Sequence, residues 1–271
     1  MNYFSPKSAA QRYAKGRPYF HPMIIAHIKE FLSITRPLSS ALDVGCGTGL
    51  STVALKGIAE NIIGLDASAE MIALAPEENG IRYFVAAAEN LPFDNNDFDL
   101  LTLSQVFHWL DANRFLAEAN RVLRPSAWLI AYDNYFSGQM VEHPEFHRCY
   151  EEYLARYPVP PRGKIAFSTE NAELFGLHLV KEERHDNTVT FSLEGLVDYL
   201  VTQSNVIARV EGGSESIQEA RSWLTRVIEP IFGSAGEKEF LFNAPIWYLQ
   251  NGNATSQSWD ASGRSVNFKD E

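Results

Sequence analysis

The first half of the chain alternates short apolar runs with segments whose apolar residues recur at helical spacing. The runs predict buried strands near 41–45, 61–65, 81–86, 98–104 and 127–132, and the periodic segments predict helices near 49–57, 68–75 and 112–122. A further helix is predicted after Pro22, because four apolar residues there share one face: Ile24, Ile28, Phe31 and Leu32. Alternating strands and helices are typical of an α/β fold, with a parallel sheet, helices on both faces and right-handed crossovers.

The pattern changes after Asp133. A helix is predicted over 144–156, and strands are predicted over 177–193 and 244–250. Between these two strands, residues 194–232 carry apolar side chains at helical steps. Residues 251–271 hold few large apolar side chains, so we expect them to form a polar C-terminal tail that is ordered at most in part.

Composition narrows the class of protein. The 271 residues suit one large domain, or one domain with a sizeable insertion. A net charge of −11 disfavours a nucleic-acid partner, because neutralising phosphates requires a basic surface. We find no apolar run of membrane-span length and no hydrophobic core of a signal peptide, so the expected location is cytoplasmic. The two cysteines are too few for a disulfide framework.

A glycine-rich turn follows the first predicted strand. After Asp43, glycines stand at every second position, Gly45, Gly47 and Gly49, where a ligand can approach bare backbone. A dinucleotide fingerprint would place its third glycine at position 50, but Leu50 is there, which disfavours a nicotinamide cofactor. Asp66 ends the next strand, 21 residues beyond Gly45, close to the spacing at which an acid accepts hydrogen bonds from ribose hydroxyls.

These segments together resemble the class I S-adenosylmethionine-dependent methyltransferases. The resemblance covers roughly residues 38–133 in the family's order, through 42–49, 64–66, 87–93, 98–100 and 121–125. It is greatest to small-molecule methyltransferases of the trans-aconitate methyltransferase kind. The resemblance implies a Rossmann-like, seven-stranded, mostly parallel sheet with helices on both faces. It also implies a helical cap inserted between the last two strands.

The implied domain organisation has three parts. Residues 1–37 are expected to form an N-terminal helical cover over the cofactor. Residues 38–250 are expected to form the methyltransferase domain, with the cap insertion at about 194–236. Residues 251–271 would be the polar tail.

The resemblance also assigns positions around S-adenosylmethionine. Gly45 and Gly47 would pass under its methionine part, and Asp43 would orient that loop or the cofactor's amino group. Asp66 would accept hydrogen bonds from the ribose hydroxyls. The adenine would be contacted by the residues that follow the second and third strands: Ala67, Met71, Ala88 and Glu89. Structural alternatives stay open, namely a helix-capping role for Asp66, a structural role for Asp43 and a solvated loop position for Glu89.

Three further residues complete the predicted site. Ser104 ends the fourth strand, where the crevice should lie. Arg17 could bind a carboxylate of the cofactor or of an acidic substrate, or could be a surface residue. His108 is a candidate general base, with packing as the alternative. Residues 104–107 lack the proline pair usual in family members that methylate DNA amino groups, which again disfavours nucleic acid.

The leading hypothesis is therefore an S-adenosylmethionine-dependent methyltransferase whose partner is a small-molecule acceptor. We expect no nucleic acid, no membrane and no metal at this site, and no protein partner is evident. A carboxylate is one candidate acceptor, and phenol, amine and carbon acceptors also fit. The alternatives are a non-catalytic S-adenosylmethionine-binding protein and, less favoured, a nicotinamide-dependent oxidoreductase.

Overall fold

The computed structural model describes residues 6–161, 167–233 and 236–252, together with the residue pairs 258–259 and 265–266. Two helices come first, α1 (Lys7–Gly16) and α2 (His21–Phe31), the latter with Pro22 in its first turn, where its missing N–H costs nothing. Five strands follow: β1 (Leu38–Val44), β2 (Ala59–Asp66), β3 (Ile81–Val85), β4 (Phe98–Ser104) and β5 (Leu123–Tyr132). They pair in parallel in the order β3-β2-β1-β4-β5.

The helices between these strands lie where the pattern predicted them. They are α3 (Leu50–Ala54), α4 (Ala69–Ile72) and α5 (Ala112–Val122), with short 3-10 turns at Leu55–Gly57 and Phe107–Trp109. Two of them begin at side chains that accept a backbone N–H: Ser68 from Met71, and Asp111 from Arg114. Buried apolar side chains fill both faces of the sheet, under α2 and α3 on one side and under α5 on the other.

The second half of the chain extends the sheet with antiparallel strands, β6 (Tyr135–Met140), β7 (Leu177–Ser192) and β8 (Glu237–Asn251). Strand β8 pairs along one side with β5 and then β6, and along its other side with β7 throughout. The Rossmann-like, mostly parallel sheet predicted from the sequence is confirmed. It has an eighth strand, β6, because the chain continues beside β8 after leaving β5.

Helices cover the antiparallel part. They are α6 (Phe146–Arg156), α7 (Thr169–Glu173), α8 (Leu193–Leu200), α9 (Ser204–Glu211) and α10 (Ile217–Phe232). The last three lie between β7 and β8, as predicted, and share a core with α6 and the extended strands. Helix α10 begins with a capping box. The Ser216 hydroxyl accepts from the N–H of Glu219, and the Glu219 carboxylate accepts from the N–H of Ser216.

Helix α1 lies against α8 and α9. Arg12 forms an ion pair with Glu211 at 2.6 Å, and Lys15 forms one with Asp198 at 2.8 Å. Gly16 permits the close approach, because a Cβ there would stand 2.4 Å from the backbone oxygen of Asp198. The N-terminal segment is thereby fixed to helices that are far from it in sequence.

The predicted C-terminal tail lies mostly outside the described residues. Strand β8 runs one residue past the predicted boundary, to Asn251, whose buried amide donates to the backbone oxygen of Leu123 at 2.9 Å. Beyond it, β9 (Ser258–Trp259) and β10 (Ser265–Val266) pair antiparallel. Within the described residues, no helix is both long and apolar enough to cross a membrane.

A buried carboxylate joins three elements beneath the glycine-rich turn. Asp43 is fully buried at the end of β1. Its Oδ2 accepts from the hydroxyls of Ser51 at 2.6 Å and Thr52 at 2.7 Å on α3, and its Oδ1 accepts from Thr102 at 2.9 Å on β4. Burial raises the pKa of Asp43 to about 6, although the three hydroxyl donors oppose that rise.

This pKa makes a testable prediction about stability. The pKa of Asp43 is higher in the folded protein than in the unfolded chain, so protonation of Asp43 favours the native state. The contribution of Asp43 to the free energy of unfolding is therefore fully present at low pH. It is lost as the pH rises through about 6. Between pH 4.5 and 7, the free energy of unfolding of the wild type should fall by about 2 kcal/mol relative to Asp43→Asn.

The measurement is denaturant unfolding of both proteins across this pH range. Asparagine is the matched variant because it keeps the size of the side chain, and the three hydroxyls can turn to accept from its amide. A difference between the two proteins that does not change with pH would contradict the prediction.

Candidate active site

A cavity of about 510 Å³ lies beyond the carboxyl ends of the parallel strands. Of the eleven residues predicted for the site, ten line this cavity: Arg17, Gly45, Gly47, Asp66, Ala67, Met71, Ala88, Glu89, Ser104 and His108. Five separate segments of the sequence therefore meet at one place, which places them within reach of one ligand.

The glycine-rich turn forms one wall. The N–H groups of Gly45 and Cys46 donate to the backbone oxygen of Leu65, at 2.7 and 3.0 Å, and so fix the turn to the end of β2. Gly45 and Gly47 both have positive φ, at 69° and 55°. A Cβ on Gly47 would meet nothing closer than Tyr13, at 3.8 Å, so the backbone at Gly47 faces open space, whereas a Cβ on Gly45 would stand 2.5 Å from Val106.

Asp66 stands at the end of β2 beside this turn. Its Oδ2 accepts from the N–H of Gly47 at 2.9 Å, and its Oδ1 accepts from the N–H of Ser68 at 2.8 Å. Burial raises the pKa of Asp66, while the backbone N–H groups of Ser68, Gly47 and Ala67 oppose the rise. A carboxylate has about four acceptor positions, so the side chain can position the turn and still accept from a ligand.

Asp43 is the predicted residue that does not line the cavity. It lies beneath the turn, and hydroxyls of the protein occupy both of its carboxylate oxygens. Of the two roles proposed for it from the sequence, this position suits orientation of the loop rather than contact with the cofactor.

The four residues predicted to contact adenine all line the cavity. Met71 and Ala88 are buried in its wall, and Ala67 lies beside them. Glu89 is anchored, because its Oε1 accepts from the N–H of Asp111 at 2.9 Å, at the start of α5. Glu89 is thus tied to a helix terminus as well as facing the cavity.

Arg17 reaches the cavity from the segment after α1. Its guanidinium lies over the ring of Tyr13, 4.5 Å from the centroid, and 5.5 Å from that of Tyr199 on α8. One terminal nitrogen donates to the backbone oxygen of Thr202 at 3.2 Å. Its Nε is buried and has no hydrogen-bond partner within the described part of the chain.

The segment after β4 divides between cavity and core. His108 is 7% exposed and Trp109 adjoins it, and both line the cavity. Phe107 instead packs in the core, where it stacks on Phe167 with ring centroids 4.0 Å apart. Ser104 lies at the cavity edge of the same strand.

Sequence reasoning missed much of the remaining wall. Asp133, Asn134 and Tyr135 follow β5, and the Tyr135 hydroxyl donates to the carboxylate of Asp133. The rule used for the other strands, that residues at their carboxyl ends face the crevice, would have found these three. The aromatic and amide side chains from the helical half carry no such signal: Tyr150, Tyr153, Tyr199, Gln203 and Asn205.

Comparisons with known proteins agree with this geometry. Residues 42–131 match a family described as a methyltransferase domain. A protein of Dictyostelium discoideum, described provisionally as a methyltransferase, is 25% identical over 257 residues, which cover 89% of this chain and 92% of that protein. A Saccharomyces cerevisiae protein, described provisionally as S-adenosylmethionine-dependent, is 26% identical, but the match covers 56% of this chain and 54% of that protein.

Solved structures give the same fold. A methyltransferase of Anaeromyxobacter dehalogenans, assigned provisionally to type II, superposes with a TM-score of 0.64 at 22% identity. The superposition covers 84% of this chain and 95% of that one. The similarity therefore extends beyond the residues that match the family. The family match over residues 42–131, the relatives and the fold together support an S-adenosylmethionine-dependent methyltransferase.

Proposed function

We propose that this methyltransferase transfers the methyl group to a carboxylate oxygen of a small molecule, bound in the cavity described above. The observation that carries the proposal is the make-up of the cavity lining. It combines the glycine-rich turn and Asp66 with Arg17 and a set of aromatic and amide side chains. Such a cavity has room for a cofactor and a small acceptor side by side.

The residues around the glycine-rich turn fit S-adenosylmethionine. The bare backbone of Gly47 faces open space, as close approach of the methionine part requires. Asp66 keeps acceptor capacity for the ribose hydroxyls, and Met71 with Ala88 offers an apolar slot for the adenine. When bound, S-adenosylmethionine supplies a methyl group on a sulfonium, which is already a good leaving group.

The polar groups in the rest of the lining favour an acceptor that is rich in oxygen. Among the described residues lining the cavity, Arg17 alone carries a permanent positive charge. Three buried donors there have no hydrogen-bond partner in the described chain: Arg17 Nε, Asn134 Nδ2 and Gln203 Nε2. Unpartnered buried N–H groups are costly, and carboxylate oxygens would satisfy them. A carboxylate acceptor also agrees with the resemblance to the trans-aconitate methyltransferase kind.

The contribution of the protein is alignment and exclusion of water. Helices α1, α6 and α8 each place an aromatic side chain in the cavity wall: Tyr13, Tyr153 and Tyr199. These rings restrict the acceptor to approaches in line with the methyl group, which is the chief requirement of a displacement reaction. A carboxylate is already a nucleophile, so this reaction needs no general base, and we assign His108 to binding and orientation rather than proton transfer.

The nature of the product tests the acceptor class. Purified protein, a labelled methyl donor and a metabolite extract should yield a labelled small molecule whose label is released as methanol by mild alkali. Methyl esters are cleaved under these conditions, whereas methyl ethers, methylamines and C-methyl groups are not. Label that resists alkali would overturn the carboxylate assignment and leave the methyltransferase assignment intact.

The position of Asp66 makes a prediction about cofactor affinity. Asp66→Ala should weaken binding of S-adenosylhomocysteine by about 2 kcal/mol, because it removes charge-assisted hydrogen bonds to ribose and loosens the turn at Gly47. Calorimetry on the full chain measures this. Glu77→Ala is the matched control, since it removes the same charge from an exposed position. Equal affinity of the two variants would contradict the ribose assignment.

The assigned role of His108 makes a prediction about rate. His108→Gln keeps most of the bulk and a hydrogen-bonding group but cannot act as a base near neutral pH. We expect its kcat to stay within about threefold of the wild type, with the same dependence on pH. If kcat of His108→Gln fell about a hundredfold and no longer decreased at low pH, as it would in the wild type, general-base catalysis by His108 would be indicated instead.

A further inference from the structure

We propose that His27, Glu183 and His185 form a binding site for one divalent transition-metal ion, because the fold brings two imidazoles and a carboxylate together away from the cavity. The site is separate from the proposed methyl-transfer reaction, since none of the three residues lines the cavity. Its occupant is identified by the ligand chemistry, and Zn²⁺ is the probe used below.

The geometry comes from the packing of α2 against β7. Glu183 and His185 alternate along β7 and so point to the same face of the sheet. Helix α2 crosses that face, and the ring of His27 stacks on that of His185 with centroids 3.7 Å apart. One ligand atom from each of the three side chains lies within 4.8 Å of the other two.

The donor set matches a transition metal. Two imidazole nitrogens and one carboxylate oxygen are ligands that Zn²⁺ binds, with a water molecule in the fourth position. In such a site, ligand atoms stand roughly 3.3 Å apart, so the cluster must contract by about 1.5 Å at most, through side-chain rotation of the stacked rings. All three side chains are half-buried, which allows that rotation.

One imidazole nitrogen of the cluster makes no hydrogen bond within the described residues. The Nε2 atom of His185 is buried and has no hydrogen-bond partner among the described residues, although it lies 3.4 Å from Oε1 of Glu183. An unsatisfied buried nitrogen carries a free-energy cost. An ion between imidazole and carboxylate removes that cost and binds both groups.

Two neighbours hold Glu183 in place. Lys181 forms an ion pair with its Oε2, and the Tyr248 hydroxyl donates to its Oε1 at 2.5 Å. The Lys181 ammonium also lies 5.1 Å from the centroid of the Phe31 ring on α2. Lys181 therefore competes with an ion for the carboxylate, and removing its charge should strengthen metal binding.

A bound ion would fasten α2 to β7. Helix α2 immediately precedes the strand that carries the glycine-rich turn, whereas β7 belongs to the antiparallel extension of the sheet. An ion that binds only the folded arrangement stabilises it by mass action. The expected role of the site is thus to stabilise the junction between the two halves of the molecule.

The first test is calorimetric titration of Zn²⁺ into the chelator-treated full chain. We expect one site with a dissociation constant tighter than about 10 µM, and at least a hundredfold weakening in His27→Gln and in His185→Gln. His147→Gln is the matched control, because His147 and Glu151 form an exposed histidine–glutamate pair on α6, 3.4 Å apart. Weaker wild-type binding, or an equal loss in the His147→Gln control, would overturn the proposal.

Two further measurements keep the test decisive if one variant folds poorly. Co²⁺ should give visible absorption bands in the wild-type protein that are absent in His185→Gln, with folding checked by circular dichroism. Lys181→Met preserves packing on Phe31 but frees Glu183, so it should bind Zn²⁺ severalfold more tightly than the wild type. Unchanged or weaker binding by Lys181→Met would show that Glu183 is not a ligand.

Discussion

Strand β8 is the element on which the rest of the structure depends. Its C-terminal half pairs with β5 and closes the parallel sheet, while its N-terminal half pairs with β6. Along its other side it pairs with β7 from end to end. One continuous backbone ladder therefore holds both the sheet that carries the glycine-rich turn and the strands that support α8, α9 and α10.

Two acids near the turn illustrate how environment divides similar residues between roles. Asp43 has every oxygen occupied by hydroxyls of the protein and no access to the cavity, so it stabilises the position of the turn. Asp66 also binds the turn, through Gly47, but it lies in the cavity wall with lone pairs to spare. Burial raises the pKa of both. Burying the carboxylates of Asp43 and Asp66 costs free energy, and both carboxylates hold the backbone of the glycine-rich turn in place.

The side chains proposed to bind the acceptor come from parts of the chain that are remote from one another in sequence. Arg17 comes from the segment after α1, Asn134 from the end of β5 and Gln203 from the turn between α8 and α9. Ion pairs from α1 to α8 and α9 hold the first of these parts against the last. Under the proposed function, substrate choice therefore depends on docking between helices, whereas cofactor binding depends on the turn and the strands beside it.

The sequence by itself determined the parallel half of the fold and ten of the residues that line the cavity. Strand and helix periodicities located β1 to β5, and glycines at alternate positions followed by Asp66 identified the turn, because these signals are local. The sequence also predicted helices at 194–232 between the last two strands. It did not predict α1, which is ten residues long and bounded by prolines, nor β6, whose partner lies a hundred residues away.

Only the tertiary structure decided which side chains line the cavity and which acid lies beneath it. From the sequence, Asp43 and Asp66 were both candidates for contact with the cofactor, and Tyr153, Tyr199 and Gln203 were ordinary residues of the helical segments. Their orientations follow from how α6 and α8 dock on the extended strands, and docking depends on contacts between residues that no local pattern relates. The same reason hid the approach of His27 to Glu183 and His185, since a helix and a strand so distant in sequence meet only when the sheet is complete.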